Sequence, residues 1–291
     1  KTMNIMKLRP LFLFISSLLL ITSLLSIIFW QFKPSIDFSG GSIWEVSFSQ
    51  NINTDQINEI FTKNNLDLPI ITSIGDNNYS LKFKNIDPSQ KVALNSSLKE
   101  IDDQAIELKF ETLGPILGKE LLKKTIFAIV LSSLFLLLFI GSRFKDFSFG
   151  ISAILAMFHD TIILVGGFSI LGHFFGAELD ALFVTAVLTT LSSSVHDTVV
   201  TFDRIRELKR QNYQIDWVQL ANQAVTETLN RSINNSMTII FMLTSLVLLG
   251  GSTTRWFAAA LLIGVICGTY SSTGVAIPLV LFFKKHSKKK Y

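Results

Sequence analysis

Two histidine–aspartate pairs lie inside long apolar runs of this chain. The first is His159–Asp160 in "MFHDTIILVG", and the second is His196–Asp197 in "SSSVHDTVVTFDRIRE". An ionisable side chain inside a bilayer is costly unless it faces protein, water or an opposite charge. A buried carboxylate suits proton transfer, because burial favours its protonated form and a nearby cation favours its ionised form. Imidazole titrates near neutral pH, so His159 and His196 are candidate proton relays.

The second pair stands on a helix face that is polar throughout. Hydroxyl residues recur around Asp197 at three- and four-residue spacing and therefore share one side of a helix. They are Thr189, Thr190, Ser193, Ser194 and Thr201, with Arg204 at the end. Such a face cannot contact lipid, so we expect it to meet a partner helix or a hydrated path. The alternative for both aspartates, a carboxylate that caps or cross-links helices, stays open.

A further polar stripe opens the next apolar run and consists of Arg231, Asn234, Asn235 and Thr238. The guanidinium of Arg231 can stay at the membrane interface or turn inward to a carboxylate. Its displacement would switch Asp197 between holding and releasing a proton. The residues predict a proton-coupled membrane protein. Its predicted coupling residues are Asp197, Arg231 and Asp160, beside a polar stripe of Thr189, Ser193, Thr201 and Asn235.

The elements that must position these residues are transmembrane helices. Of 291 residues, 49% are hydrophobic, 16% are charged and 25 are phenylalanine. The apolar residues cluster into six runs of about 20 residues, the length that crosses a bilayer. The predicted spans are about 11–32, 122–141, 147–172, 179–202, 233–250 and 256–283. The first span exceeds a signal-peptide core and lacks a small-residue cleavage motif, so we expect it to be retained.

Basic residues predict the orientation of these spans. They cluster at the amino terminus, in "SRFKDF", in "DRIRELKR" and in "KKHSKKKY". An even number of spans places all four segments on one side, which the positive-inside rule identifies as the cytoplasm. We therefore expect both termini in the cytoplasm of a multi-pass protein of the cell (plasma or inner) membrane.

The segment between the first two spans has the composition of a soluble domain. Alternating apolar residues in "SIWEVSF" and "AIELKFETL" predict strands, and "PIITSI" and "YSLKFK" around "GDNN" predict a hairpin. Helical spacing of Ile57, Ile60 and Phe61 predicts one helix, and Asp87 before Pro88 predicts the start of another. The resulting β-α-β-β-α-β order is that of an extracytoplasmic α+β ferredoxin-like domain.

The sixth span carries small residues four positions apart, Ala260, Gly264 and Gly268. This spacing predicts a face for close helix packing rather than for transport. Cys267 is the only cysteine, which excludes an internal disulfide and a cysteine-based metal site. We predict no catalytic, metal or cofactor site.

Several segments in register resemble the SecF family of the SecD–SecF protein-export complex. They are "IDFSGGS", "TLGPILGKEL", "FHDTIILVGGFSI", "VHDTVVTFDRIRE", "LNRSINNSMT" and "FAAALLIGVICGTYSSTGVAIPLV". The resemblance implies a member of the resistance–nodulation–division superfamily. It also implies that the proton-coupling aspartate falls on Asp197, the fifth-helix arginine on Arg231 and the third-helix pair on His159 and Asp160.

The family's organisation implies four parts for this chain. Residues 1–33 would be a cytoplasmic amino terminus with helix 1, and 34–119 the extracytoplasmic domain. Residues 120–283 would hold helices 2–6 with a cytoplasmic loop at about 203–232, and 284–291 a basic cytoplasmic tail. The family also implies a non-enzymatic translocase accessory subunit that uses the proton motive force after the ATP-driven step. Its partners would be a SecD-like subunit with a similar six-helix half, a SecYEG-type translocon and the translocating preprotein, without nucleic acid.

The sequence departs from the family at two places. His196 stands where an asparagine is usual, and Ser192–Ser194 replace "GYS". Three other function classes stay open: a proton-driven small-molecule efflux component, a passive assembly subunit and an intramembrane aspartyl protease. The protease requires carboxylates at matching depth, whereas we place Asp160 midway along its span and Asp197 nearer the cytoplasmic end. The protease motif "GxGD" is also absent.

Overall fold

A computed structural model describes residues 4–75, 77–144, 146–211 and 214–287. Lys1, Asp76, Lys145 and the predicted tail beyond Ser287 lie outside the described residues. The α-helices are α1 Arg9–Trp30, α2 Ile36–Ser39, α3 Thr54–Lys63, α4 Pro88–Ile101, α5 Pro115–Arg143, α6 Phe147–Phe175, α7 Ala181–Gln211, α8 Trp217–Leu249, α9 Ser252–Ser271 and α10 Ile277–Ser287. The strands are β1 Gly41–Ser47, β2 Ile70–Ser73, β3 Asn78–Phe83 and β4 Ile106–Leu113.

The chain divides into two compact units. One comprises Lys1–Lys33 with Ala128–Tyr291, and the other comprises Pro34–Phe127. The predicted boundary at residue 119 falls inside α5. Helix α5 runs without interruption from Pro115. Its first part, up to Phe127, belongs to the second unit, and its remainder belongs to the first.

The unit Pro34–Phe127 is a four-stranded antiparallel sheet with two helices. Its elements follow the order β1-α3-β2-β3-α4-β4, and its strands lie in the order β2-β3-β1-β4. The predicted hairpin pairs β2 with β3, and a bulge interrupts the pairing of β1 with β4 at Glu45 and Val46. Alternate strand residues and the apolar faces of both helices share one core, which includes Trp44, Val46, Ile57, Phe61, Leu81 and Leu94.

Local signals explain where the elements of this unit begin. Asn53 and Asp87 form capping boxes with the glutamines three residues later, so side chains satisfy the free N–H groups of α3 and α4. The predicted cap at Asp87 with Pro88 in the first turn is confirmed. Gly40 has a φ of +74°, and a Cβ there would lie 2.6 Å from the Cα of Pro115. A side chain at this position would therefore be strained and crowded.

The other unit is a helical bundle in which α9 packs against α6, α7 and α8. Helix α7 also packs against α6 and α8, and α1 packs on α6. Among the described residues, five helical stretches are long and apolar enough to cross a membrane. They are Ile5–Trp30, Pro115–Arg143, Phe147–Phe175, Trp217–Leu249 and Thr254–Lys285. The predicted fourth span is helical as part of α7 but is not among these five. Serine, threonine, His196 and Asp197 lower its mean hydropathy.

Most of the predicted cytoplasmic loop at about 203–232 is helical. Helix α7 continues to Gln211, and α8 begins at Trp217. These extensions have their own packed faces, which bury Ile205, Leu208, Leu220, Ala221 and Val225. Polar and charged residues occupy the opposite faces, as is typical of amphipathic helices.

The sixth predicted span is also interrupted. A π-helical turn at Ser272–Ala276 separates α9 from α10. Pro278 lacks the N–H that would bond the carbonyl of Gly274, and its ring crowds that carbonyl. The wider π turn accommodates the missing bond without ending the helical path.

Candidate functional site

A polar cavity of about 480 Å³ lies between α7, α8 and α9. It is lined by hydroxyl and amide side chains, one histidine, one aspartate and a few apolar groups: Thr189, Ser192, Ser193, His196, Asp197, Asn235, Ser236, Ile239, Val265, Gly268 and Thr269. The Ser236 and Thr269 hydroxyls, 2.6 Å apart, join α8 to α9 beside the cavity. A hydrogen bond therefore cross-links the two helices that form the cavity wall opposite the polar face of α7.

Asp197 is the acidic residue of this cavity. Its side chain is partly buried, and its carboxylate accepts no hydrogen bond from any residue that the structure describes. His196 and Arg231 are close enough to interact with it electrostatically. Within the described ranges, no ion pair joins Arg231 to Asp197, and Arg231 is exposed. The arrangement leaves the carboxylate free to bind a proton or to attract the guanidinium.

The predicted polar stripe divides into two faces of α7. Thr189 and Ser193 line the cavity, together with Asn235 from α8. Thr201 does not line it, because it is buried and its hydroxyl donates to the carbonyl of Asp197, 3.2 Å away. Residues three and four positions apart spread around part of the helix circumference, so they need not all contact the same neighbouring helix.

Asp160 lies in a different environment, between α6, α7 and α9. It is fully buried, and its Oδ2 accepts from the hydroxyls of Ser194 and Ser271, each at 2.6 Å. Its Oδ1 lies 2.9 Å from Nδ1 of the neighbouring His159. One carboxylate thereby connects three helices. The sequence showed that Asp160 needed a partner, but it gave no sign that two serines 34 and 111 residues away would supply it.

The two candidate relay histidines also differ. His196 is exposed and lines the cavity, whereas His159 is buried. The Nε2 atom of His159 has no hydrogen-bond partner among the described residues. Of these two histidines, the structure therefore places His196 at the cavity that Asp197 faces.

The small residues of α9 lie against α7. A Cβ on Gly264 would overlap the side chain of Thr190, and one on Gly268 would lie 3.5 Å from the Cα of Ser194. Ala260 is fully buried in the bundle core. This close approach brings the backbone of α9 to both aspartate environments.

The two aspartates lie about one helical turn apart in depth. Asp160 bonds Ser194, which lies three residues before Asp197 on α7, a rise of about 4.5 Å. Asp197 therefore lies further than Asp160 toward the carboxyl end of α7, the end that we expect at the cytoplasm. The two carboxylates also differ in the face that they occupy, since Asp160 points between α6, α7 and α9 and Asp197 into the cavity. A paired aspartate site is not formed.

Ion pairs that the sequence analysis missed join the basic ends of the helices. Arg204 contacts Glu207 and Glu227, each at 2.5 Å, and so connects α7 to α8. Arg143 pairs with Asp203, and Lys284 pairs with Asp146. No group of three or more histidine, cysteine, aspartate or glutamate residues that could hold a metal ion is present in the described part of the chain.

Comparison with known proteins identifies the family. Residues 93–286 match the family described as "Protein export membrane protein SecD/SecF, C-terminal". The chain is 37% identical to the protein translocase subunit SecF of Thermobaculum terrenum, over 92% of this chain and 90% of the relative. It is 34% identical to the protein translocase subunit SecF of Anaerolinea thermophila, over 97% of this chain and 94% of the relative.

A solved structure gives the same result for the fold. The crystal structure of SecDF, a translocon-associated membrane protein from a Thermus species, superposes with a TM-score of 0.85 at 28% identity. The superposition covers 98% of this chain but only 39% of that longer chain. Sequence similarity over nearly full length and the shared fold agree. The chain belongs to the SecF family of protein translocase subunits.

Proposed function

We propose that this chain is a subunit of the Sec protein-export machinery that couples the proton motive force to the movement of polypeptide across the membrane. Its relatives of similar length are named protein translocase subunits. In this proposal the chain spans the cell membrane six times with both termini in the cytoplasm. It carries a ferredoxin-like domain outside the membrane. The order of elements and strands in the α/β unit supports this part of the proposal. The chain acts without enzymatic chemistry of its own.

The partner that we propose is a SecD-like subunit with a similar half. The SecDF chain is longer, and this chain covers 39% of its length, which leaves room there for such a half. The exposed polar residues Thr189, His196 and Arg231 on α7 and α8 also favour a protein neighbour over lipid. The larger assembly would engage a SecYEG-type translocon and a preprotein after the ATP-driven step.

One observation carries the proposed coupling: Asp197 faces a polar cavity, and its carboxylate accepts no hydrogen bond from the described residues. Protonation removes its charge and with it the attraction for Arg231, which interacts with it electrostatically from α8. Proton binding and release would therefore change the relative position of α7 and α8. Moving one charge through 100 mV supplies about 2.3 kcal/mol, enough to bias a two-state movement roughly fifty-fold.

The test is translocation into membrane vesicles that contain the whole complex, with and without an imposed proton gradient. Asp197→Asn should abolish the gradient-dependent stimulation and leave expression and partner binding unchanged. The matched control is Asp216→Asn, because Asp216 caps α8 and asparagine is an equally good cap. Full stimulation in Asp197→Asn would place the proton site elsewhere and favour a passive assembly subunit.

A further inference from the structure

Asp160 occupies a position from which it controls the geometry around Asp197. Its Oδ2 receives both serine hydroxyls, and the side chain has no exposed surface. Ser194 lies one helical turn before Asp197 on α7. Ser271 lies three residues after Gly268, which lines the cavity from α9. A single oxygen atom therefore fixes two of the three helices that enclose the cavity.

The surroundings make these two bonds decisive for helix rotation. Gly268 packs against Ser194, so little side-chain volume separates α7 from α9 at this level. The π-helical turn begins at Ser272, directly after Ser271, and such turns are frequent at functional sites. The Ser271 hydroxyl anchors α9 on the near side of that turn. Loss of either serine bond would remove one restraint on the rotation of the helix that carries it.

A proton carrier needs access to water, and the fully buried side chain of Asp160 has no exposed surface. The titratable groups that face it are His159 on its own helix and Cys267 and Tyr270 on α9. From α7 it meets the Ser194 hydroxyl, and Asp197 lies one turn further along that helix in the cavity. The described hydrogen bonds of its carboxylate lead to Ser194, Ser271 and His159 and not into the cavity.

We propose that Asp160 is a positioning residue, which holds α7 and α9 through Ser194 and Ser271 so that Asp197 faces the cavity, and that it does not carry the transported proton. This inference rests on the proposed function for its consequence in translocation, but its geometric content does not depend on that function. Asparagine retains a side-chain carbonyl that can accept from the serines, whereas leucine does not. The two substitutions at Asp160 therefore separate positioning from proton transfer.

The experiment labels the full complex in membranes with dicyclohexylcarbodiimide, which modifies protonated carboxyl groups, and locates the modified residue by peptide mass spectrometry across a pH series. We expect labelling at Asp197 and none at Asp160. The double variant Ser194→Ala/Ser271→Ala should move the labelling midpoint of Asp197 by about one pH unit, the spread of carboxyl pKa values among protein environments. The control Thr185→Val removes a hydroxyl of α7 whose hydrogen bond among the described residues is to the Ala181 carbonyl of its own helix, and it should leave the midpoint unchanged.

Translocation then distinguishes the two ideas. Asp160→Asn should keep most of the gradient-dependent stimulation and the wild-type midpoint, and Asp160→Leu should lose both. The proposal is overturned if Asp160→Asn abolishes stimulation as fully as Asp197→Asn, or if the double serine variant keeps the wild-type midpoint. Absence of Asp197 labelling at every pH would also overturn it. If Asp197→Asn still responds to the gradient, the proposed function fails while the midpoint shift still decides the positioning role.

Discussion

The bundle contains two aspartates in the same local sequence, His-Asp-Thr, and gives them opposite surroundings. Asp160 is fully buried and accepts hydrogen bonds from two other helices. Asp197 faces a cavity, and no described residue donates to its carboxylate. A carboxylate with its acceptors filled stabilises one arrangement of helices, whereas one with free acceptors can respond to a proton or a cation. Packing, rather than residue type, separates the two environments.

The histidines repeat this contrast. His159 lies inside the bundle against Asp160, and His196 lies exposed at the cavity. On α9, the serine that bonds Asp160 is directly followed by the π-helical turn. The fixed aspartate and the open aspartate share α7 and α9, so a change at one is expected to reach the other.

The largest effect should come from removing the charge beside the open carboxylate. Arg231→Met should abolish gradient-dependent translocation as Asp197→Asn does, because the protonation of Asp197 would no longer change an attraction. Arg231→Lys should keep part of it, since a lysine preserves the charge but not the shape of the group. The same vesicle assay measures both, with Arg255→Met as the control arginine. Full stimulation in Arg231→Met would remove Arg231 from the coupling.

A smaller effect should follow from forcing α7 and α9 apart, which would disturb both aspartates together. Gly264→Leu inserts a side chain against Thr190 and should lower the free energy of unfolding by about 1–3 kcal/mol. Gly141→Leu on α5 is the matched control, because no atom lies near the position of its Cβ. Thermal unfolding of the purified protein in detergent compares the two variants. Equal stability would show that the α7–α9 contact is loose.

A third and smaller effect concerns Asp102, a carboxylate outside the bundle that accepts three hydrogen bonds. Asp102 accepts from the backbone N–H of Ser49 at 2.7 Å, from its hydroxyl at 2.9 Å and from the N–H of Gln104 at 3.0 Å. These three hydrogen bonds hold the pKa of Asp102 below its ordinary value, and the bond from the Ser49 N–H has the largest effect. Burial opposes them. Its contribution to stability is therefore present above the ordinary pKa of 3.8 and lost as the pH falls through the lowered one.

We expect the domain Ser35–Leu113, expressed alone, to fold around its own core and to lose stability below about pH 4. Asp102→Asn should be less stable at pH 7 and should show a weaker decline in acid. Asp103→Asn changes the exposed neighbour and should behave as wild type. Urea unfolding at several pH values measures all three proteins. If Asp102→Asn loses stability in acid as steeply as the wild type, other carboxylates cause the loss.

Much of the fold follows from local sequence. Apolar runs of bilayer length predicted the helices, because crossing a membrane requires about 20 apolar residues wherever the helix packs. The order of strands and helices in the α/β unit and the cap at Asp87 also follow from local patterns, and the structure has them. These features depend on residues within a few positions of each other. Hydrophobic periodicity and capping therefore suffice to predict them.

Other features depend on residues that are distant in the chain. The loop at 203–232 is helical because its apolar face packs, and the sixth span contains a π turn within a bundle that tolerates it. The sequence by itself determined that Asp160 and Asp197 lie within apolar segments and need polar surroundings. Only the tertiary structure decided which became a fixed acceptor and which faced a cavity. The rotation of each helix about its axis is set by packing against α9, whose glycines bring it close to α7.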